Sequence, residues 1–268
     1  MTPLLLVKVF LAPAIVFLAS SLAGRLGPRR GGFFIGLPTT SLPFMLVIWM
    51  GSGAAAAGHA AAGALSGQLV CALFCIAYAR TAPRLGSLAS MLVALAVATA
   101  AGFATLVLSA PVIVVVLVWS AAVVGLATWP PQPSQSPAAP ATRGDVLLRM
   151  GMAGATVVAM SAIEPHVGST LAGALASLPT ILMVMSPAVH AAHGPASAVS
   201  LTHGTLASIS GTAVCLCAVA VLTPALGILS SAGIGLAALL VANAIIGRLG
   251  NRTIPMASGF SAPCTGTR

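Results

Sequence analysis

Two short stretches carry the residue types that could do chemistry here. In Leu37-Pro38-Thr39-Thr40-Ser41 a proline is followed by three hydroxyls, and Leu178-Pro179-Thr180 repeats the motif 141 positions downstream, Pro38 falling on Pro179. A proline inside an apolar segment removes a backbone donor and kinks or breaks a helix. The break frees amides and carbonyls, which are tolerated at membrane depth only against protein or a cavity. Thr39, Thr40, Ser41 and Thr180 would add hydroxyls to that set. Such a site suits reversible binding of a small polar molecule. The alternative is a packing kink whose hydroxyls satisfy the broken helix's own carbonyls, and both readings stay open.

Four further groups are candidates. Lys8 and Arg149 each lie one to two turns inside an apolar segment. A cation at each mouth would attract an anionic solute, or both stems could snorkel to the interface. Glu164 is the sole acid outside the polar stretch near Asp145, and His166 follows two residues later. The pair could couple transport to a proton, although a helix end exposed to water is the favoured reading. His59 and His203 fall within one turn of each other under the 141-residue offset and could line one pathway, or bond a neighbouring backbone. His190, His193 and His203 could in principle hold a transition metal, but no carboxylate or cysteine joins them. Cys71 and Cys75 lack a third ligand and read as small apolar residues. No nucleophile–base pair, phosphate loop or metal-hydrolase spacing occurs. Neither an enzyme nor a cofactor or metal is therefore expected.

The elements that must position these residues follow from composition. Of 268 residues, 59% are hydrophobic and 5% are charged, with mean hydropathy +1.09; soluble chains carry roughly 25% charged residues. Nine segments have the length and apolarity of membrane spans, near 3–23, 32–50, 55–79, 85–107, 109–128, 146–164, 171–190, 197–222 and 225–247. The formal charge of +9 would otherwise raise nucleic acid as a partner. Here the basic residues occupy alternate loops, after segments one, three and nine and before segment six, which is a topology signal. It predicts an outside N-terminus and a cytoplasmic C-terminus. Residues 130–144, PPQPSQSPAAPATRG, read as a cytoplasmic linker.

The 141-residue offset also sets Lys8 on Arg149, Gly27 on Gly168, Gly63 on Gly204, and PRLGSLAS from Pro83 on PALGILSS from Pro224. Five spans separate equivalent points, so the copies must face opposite ways across the membrane. Inverted repeats with Gly/Pro-interrupted segments are the architecture of many secondary transporters. The runs RLGPRRGGFFIGLPTTSLP and, later, VGSTLAGALASLPT resemble a group of uncharacterised bacterial multi-pass membrane proteins with two related halves. In span number and repeat symmetry the chain is also similar to the drug/metabolite transporter superfamily. The first resemblance implies no substrate, and the second implies an architecture and transfers no residues.

The expected protein is all-α and polytopic, with about nine transmembrane helices in a 5+4 inverted-topology repeat whose helices two and seven are broken. Residues 1–129 form the first repeat, 130–144 the linker, 145–250 the second repeat and 251–268 a cytoplasmic tail. The expected function is secondary transport of a small organic solute across a bacterial inner membrane, an anionic solute if Lys8 and Arg149 serve as attracting cations. The alternative is a non-transporting subunit or scaffold of a larger complex. The partners are the lipid bilayer and the solute, with no nucleic acid; a homodimer would cover the face left by the missing tenth span.

Overall fold

A computed structural model of the chain describes Ala14 and residues 33–105, 110–130 and 143–252. Lys8, the first expected span, the basic loop at 25–30, most of the linker and the end of the tail lie outside them. The described elements are all helices: α1 (Ser41–Thr81), α2 (Ser87–Thr105), α3 (Pro111–Ala127), α4 (Arg143–Val167), α5 (Ser169–Ala176), α6 (Thr180–Leu226) and α7 (Ile228–Arg252). Three stretches, Ser41–Thr81, Ser169–Leu226 and Ile228–Ile246, are long and apolar enough to cross a membrane, and Ser87–Gly102 and Pro111–Ala127 are shorter apolar helices. Their outward side chains suit lipid. Leu88, Val112, Leu229 and Leu240 are each more than 60% exposed, in a surface far more apolar than water-facing proteins present.

Two of these helices are longer than a bilayer is thick. A helix of 41 residues would run about 62 Å, twice the ~30 Å hydrocarbon core. Each is divided by one glycine: Gly53 at φ 87°, ψ 179° in α1 and Gly194 at φ 79°, ψ 171° in α6. That backbone region is essentially reserved for glycine, because a Cβ would collide with the backbone there. The spacing of the apolar segments predicts loops near 51–54 and 191–196. The chain instead reverses through one residue at each place, and Pro195, lacking an N–H, follows the second break directly.

α1 sits at the centre, packing on α2, α3, α5 and α6, and α6 carries α7, which also touches α1 and α3. Phe44, Met45, Leu65, Phe74, Tyr78 and Leu206 are wholly buried. Small residues set the spacing between helices. Gly63 of α1 lies against the Thr170 carbonyl of α5, and Gly173 of α5 lies against the Ala60 carbonyl of α1. Backbones this close give up no area to side chains, the way helices associate where lipid supplies no hydrophobic drive. α3 is tied to α6 by Trp119, whose Nε1–H donates to the Ser210 carbonyl at 3.2 Å.

Candidate functional site

Each Leu-Pro-Thr triplet interrupts its helix in the same way. Residues 33–35 are helical, the chain turns over 36–40, and α1 starts at Ser41; α5 ends at Ala176, the chain turns over 177–179, and α6 starts at Thr180. The Thr39 N–H donates to Leu37 O at 2.7 Å, and the Thr180 N–H donates to Leu178 O at 2.7 Å. An i to i+2 bond around a proline is an inverse γ-turn, and Pro179 sits near that geometry at φ −74°, ψ 44°. Pro38 O then accepts from the Leu42 N–H, and Pro179 O accepts from the Met183 N–H. Proline fixes its own φ and cannot extend the preceding helix, so the triplet stops one helix and starts the next. Pro38 and Pro179 are both buried, and Thr39 and Thr180 are both half-buried.

The two turns meet across the molecule. Ser41 Oγ and Ser177 Oγ are hydrogen-bonded at 3.0 Å, both buried. Thr212 Oγ1 donates to Gly36 O at 2.7 Å, and Cys71 Sγ donates to Ser177 O at 3.2 Å. These last two bonds are one bond made twice: the 141-residue offset carries Cys71 to Thr212 and Gly36 to Ser177. The backbone must come close at both places. A Cβ on Gly36 would fall onto Ser208, and one on Gly67 would lie 2.6 Å from Ser177 Cβ; the same offset carries Gly67 to Ser208.

A cavity of about 50 Å³ lies between the turns. Thr40, Ser41 and Gln68 border it from the first half and Ser177, Thr180 and Thr205 from the second, together with apolar Ile35, Ile181 and Ile209. No charged side chain lines it among the described residues. Of the residues singled out in the sequence, Pro179, Thr180, Thr40 and Ser41 border the cavity directly. Pro38 and Thr39 shape the turn beside it. Arg149 is part of α4. Gln68, 6% exposed, is not foreseen from the sequence, because neither charge nor repetition marks it.

The coupling candidates lie elsewhere. Glu164 corrects an expectation: it is only 8% exposed and is no water-facing helix end. Its carboxylate accepts from Ser169 Oγ at 2.6 Å and Ser52 Oγ at 3.2 Å. The Gly53 reversal brings Ser52 to it, and a second positive-φ glycine, Gly168 at 83°, turns the chain so that Ser169 folds back. His166 is exposed, and the carboxylate is engaged by these serines instead. His59 is exposed on α1, while His203 is 7% exposed on α6, edge-on to Trp129 with ring centroids 5.2 Å apart. His190 Nδ1 meets the Tyr78 hydroxyl at 3.2 Å. No group of three or more His, Cys, Asp or Glu side chains that could hold a metal occurs among the described residues. The described cysteines, Cys71, Cys75, Cys215 and Cys217, are free.

Comparison with protein-family models, characterised proteins and solved structures finds no match.

Proposed function

We propose that this chain is a nine-span inner-membrane secondary transporter of a small organic solute, built as a 5+4 inverted repeat and working by alternating access between the halves. The observation that carries the reading is the cavity between the two Leu-Pro-Thr turns, with the paired bonds Cys71–Ser177 and Thr212–Gly36 beside it. A scaffold would fill that crossing with side chains. A transporter needs freed backbone and hydroxyls around a small polar space near the midplane.

Inversion is supported by where the two glycine breaks lie. Ser52, next to Gly53, is bonded to Glu164, while Tyr78 is bonded to His190, four residues before Gly194. The α1 segment between Gly53 and Tyr78 is about 37 Å long, more than a hydrocarbon core. Equivalent glycines therefore lie at opposite ends of one spanning helix. Arg80 Nη2 donates to Thr128 Oγ1 at 2.7 Å, which joins two segment ends that the charge pattern assigns to the cytoplasm. Solute would reach the cavity alternately from each side as the two halves rock about their small-residue seams.

The test is metabolite profiling of cells and medium for the wild type and a Pro38→Ala/Pro179→Ala form at equal membrane level. One solute class should shift with the wild type alone. If neither form differs from empty cells while both remain folded, the stand-alone transporter is wrong and the chain is a subunit of something larger.

A further inference from the structure

Resting on that reading of the cavity as the transport site, we propose that it takes a small planar monoanion of acetate size and holds it with amide donors, with no cation among the described lining residues. The donors come in matched pairs. The backbone N–H groups of Thr40 and Ser41 at the start of α1, and those of Ile181 and Leu182 at the start of α6, make no backbone hydrogen bond among the described residues, whereas the next amides, of Leu42 and Met183, are bonded to the prolines. Both helix starts border the cavity. A helix N-terminus carries roughly half a positive charge and two border this space; the carbonyls that end the preceding helices, at Gly36 and Ser177, are engaged by Thr212 and Cys71, and no acid is among the lining residues.

The second, independent observation is Gln68. It is 6% exposed, borders the cavity and makes no hydrogen bond with protein among the described residues. Its amide faces the polar space of the cavity, where a ligand or water supplies the hydrogen bonds that the described protein groups do not. Its N–H groups add donors to a set already rich in them. At about 10–15 Å³ per water-sized occupant, the 50 Å³ suits a ligand of a few non-hydrogen atoms, such as acetate. A carboxylate of that size matches the site in charge, shape and hydrogen-bond sense. Its neutral amide isostere would turn an N–H group toward donors.

The experiment is calorimetric titration of the purified full-length protein in lipid nanodiscs with sodium acetate and with acetamide, at ionic strength matched by sodium gluconate. Acetate should bind at least about tenfold more tightly than acetamide. Gln68→Met, close in shape, should weaken acetate about tenfold or more, with an unchanged thermal transition showing that it folds. Acetamide binding as well as acetate, no acetate binding, or full affinity in a folded Gln68→Met protein would each overturn the proposal. The wild-type comparison stands even if the variant does not fold. Flux into vesicles at alkaline pH, against protein-free vesicles, separates the two ideas. Acetate that binds but does not cross leaves the anion site standing and sinks the transporter. A neutral solute that crosses without acetate binding does the reverse.

Discussion

The crossing of α1 and α5 offers the sharpest test of the packing that frames the cavity. At Gly63 an added Cβ would lie 2.7 Å from the Thr170 carbonyl carbon and 3.0 Å from the Ala174 nitrogen; at Gly173 it would lie 2.7 Å from the Ala60 carbonyl carbon and 2.8 Å from its Cα. All four are backbone atoms, which cannot rotate away. The carbonyl oxygens of Thr170 and Ala60 would lie nearer still, and carbon atoms pack at about 3.5–4.0 Å, so the helices would have to part by more than about 1 Å, a gap that forfeits half or more of each contact's well depth. Overpacking of this kind costs about 1–3 kcal/mol, offset by the ~0.5–1 kcal/mol that alanine gains over glycine in a helix. Gly63→Ala and Gly173→Ala should each destabilise by about 1–2 kcal/mol. Because both push on one seam, the double variant should cost about 1 kcal/mol less than the two added. Gly51→Ala and Gly151→Ala, with nothing within 4 Å, should instead be neutral or stabilising. The assay is reversible unfolding in mixed micelles by added SDS, followed by circular dichroism. Variants at Gly63 and Gly173 that unfold like the Gly51 control, or whose costs simply add, would refute a shared tight crossing.

Gly53→Ala and Gly194→Ala meet open space but hold a glycine-only conformation. Each should lose about 1–3 kcal/mol by backbone strain alone, read in the same titration, and a loss at one glycine without the other would show that the two breaks are not equivalent. Glu164→Gln leaves one hydroxyl poorly matched and should cost about 1–2 kcal/mol; a cycle with Ser169→Ala checks it, since additive losses would mean that the 2.6 Å bond contributes nothing. Ser41→Ala and Ser177→Ala should show coupling of about 1 kcal/mol across their shared bond, measured as a double-mutant cycle.

What the sequence reveals here is what the chain repeats. The Leu-Pro-Thr triplets stop their helices by proline's own geometry, a local effect visible without tertiary context. The small residues around Gly63 announce a close crossing but not its partner, because Thr170 lies more than a hundred positions away. Glu164 misleads for the same reason. Next to Pro165 it looks like a frayed end, and only the reversal at Gly53 brings Ser52 over it. The glycine breaks read as loops because hydropathy dips there. A single residue at positive φ with ψ near 180° turns the chain by itself, so helix continues right up to the break on both sides.

Gln68 is one of the cavity positions where the two halves differ, beside Thr40 and Ser41, which the 141-residue offset carries to Ile181 and Leu182, and its difference is itself testable. The 141-residue offset carries Gln68 to Ile209, and both border the cavity. The helix starts and turns are doubled, so they supply donors from both sides, while the carboxamide comes from one side alone. If the halves are related as proposed, position 209 sees the cavity as position 68 does. Gln68→Ile should then lose about tenfold in acetate affinity, and adding Ile209→Gln should recover most of it, since the same amide would reach the same anion from the opposite wall. Ile209 is 1% exposed, so Ile209→Gln alone would crowd a second amide into the site and should not bind more tightly than wild type. Calorimetry on the four proteins reads the outcome. A double variant as weak as Gln68→Ile, though folded, would mean that the two walls are not equivalent at this depth, and the symmetric account of the cavity would fall with it.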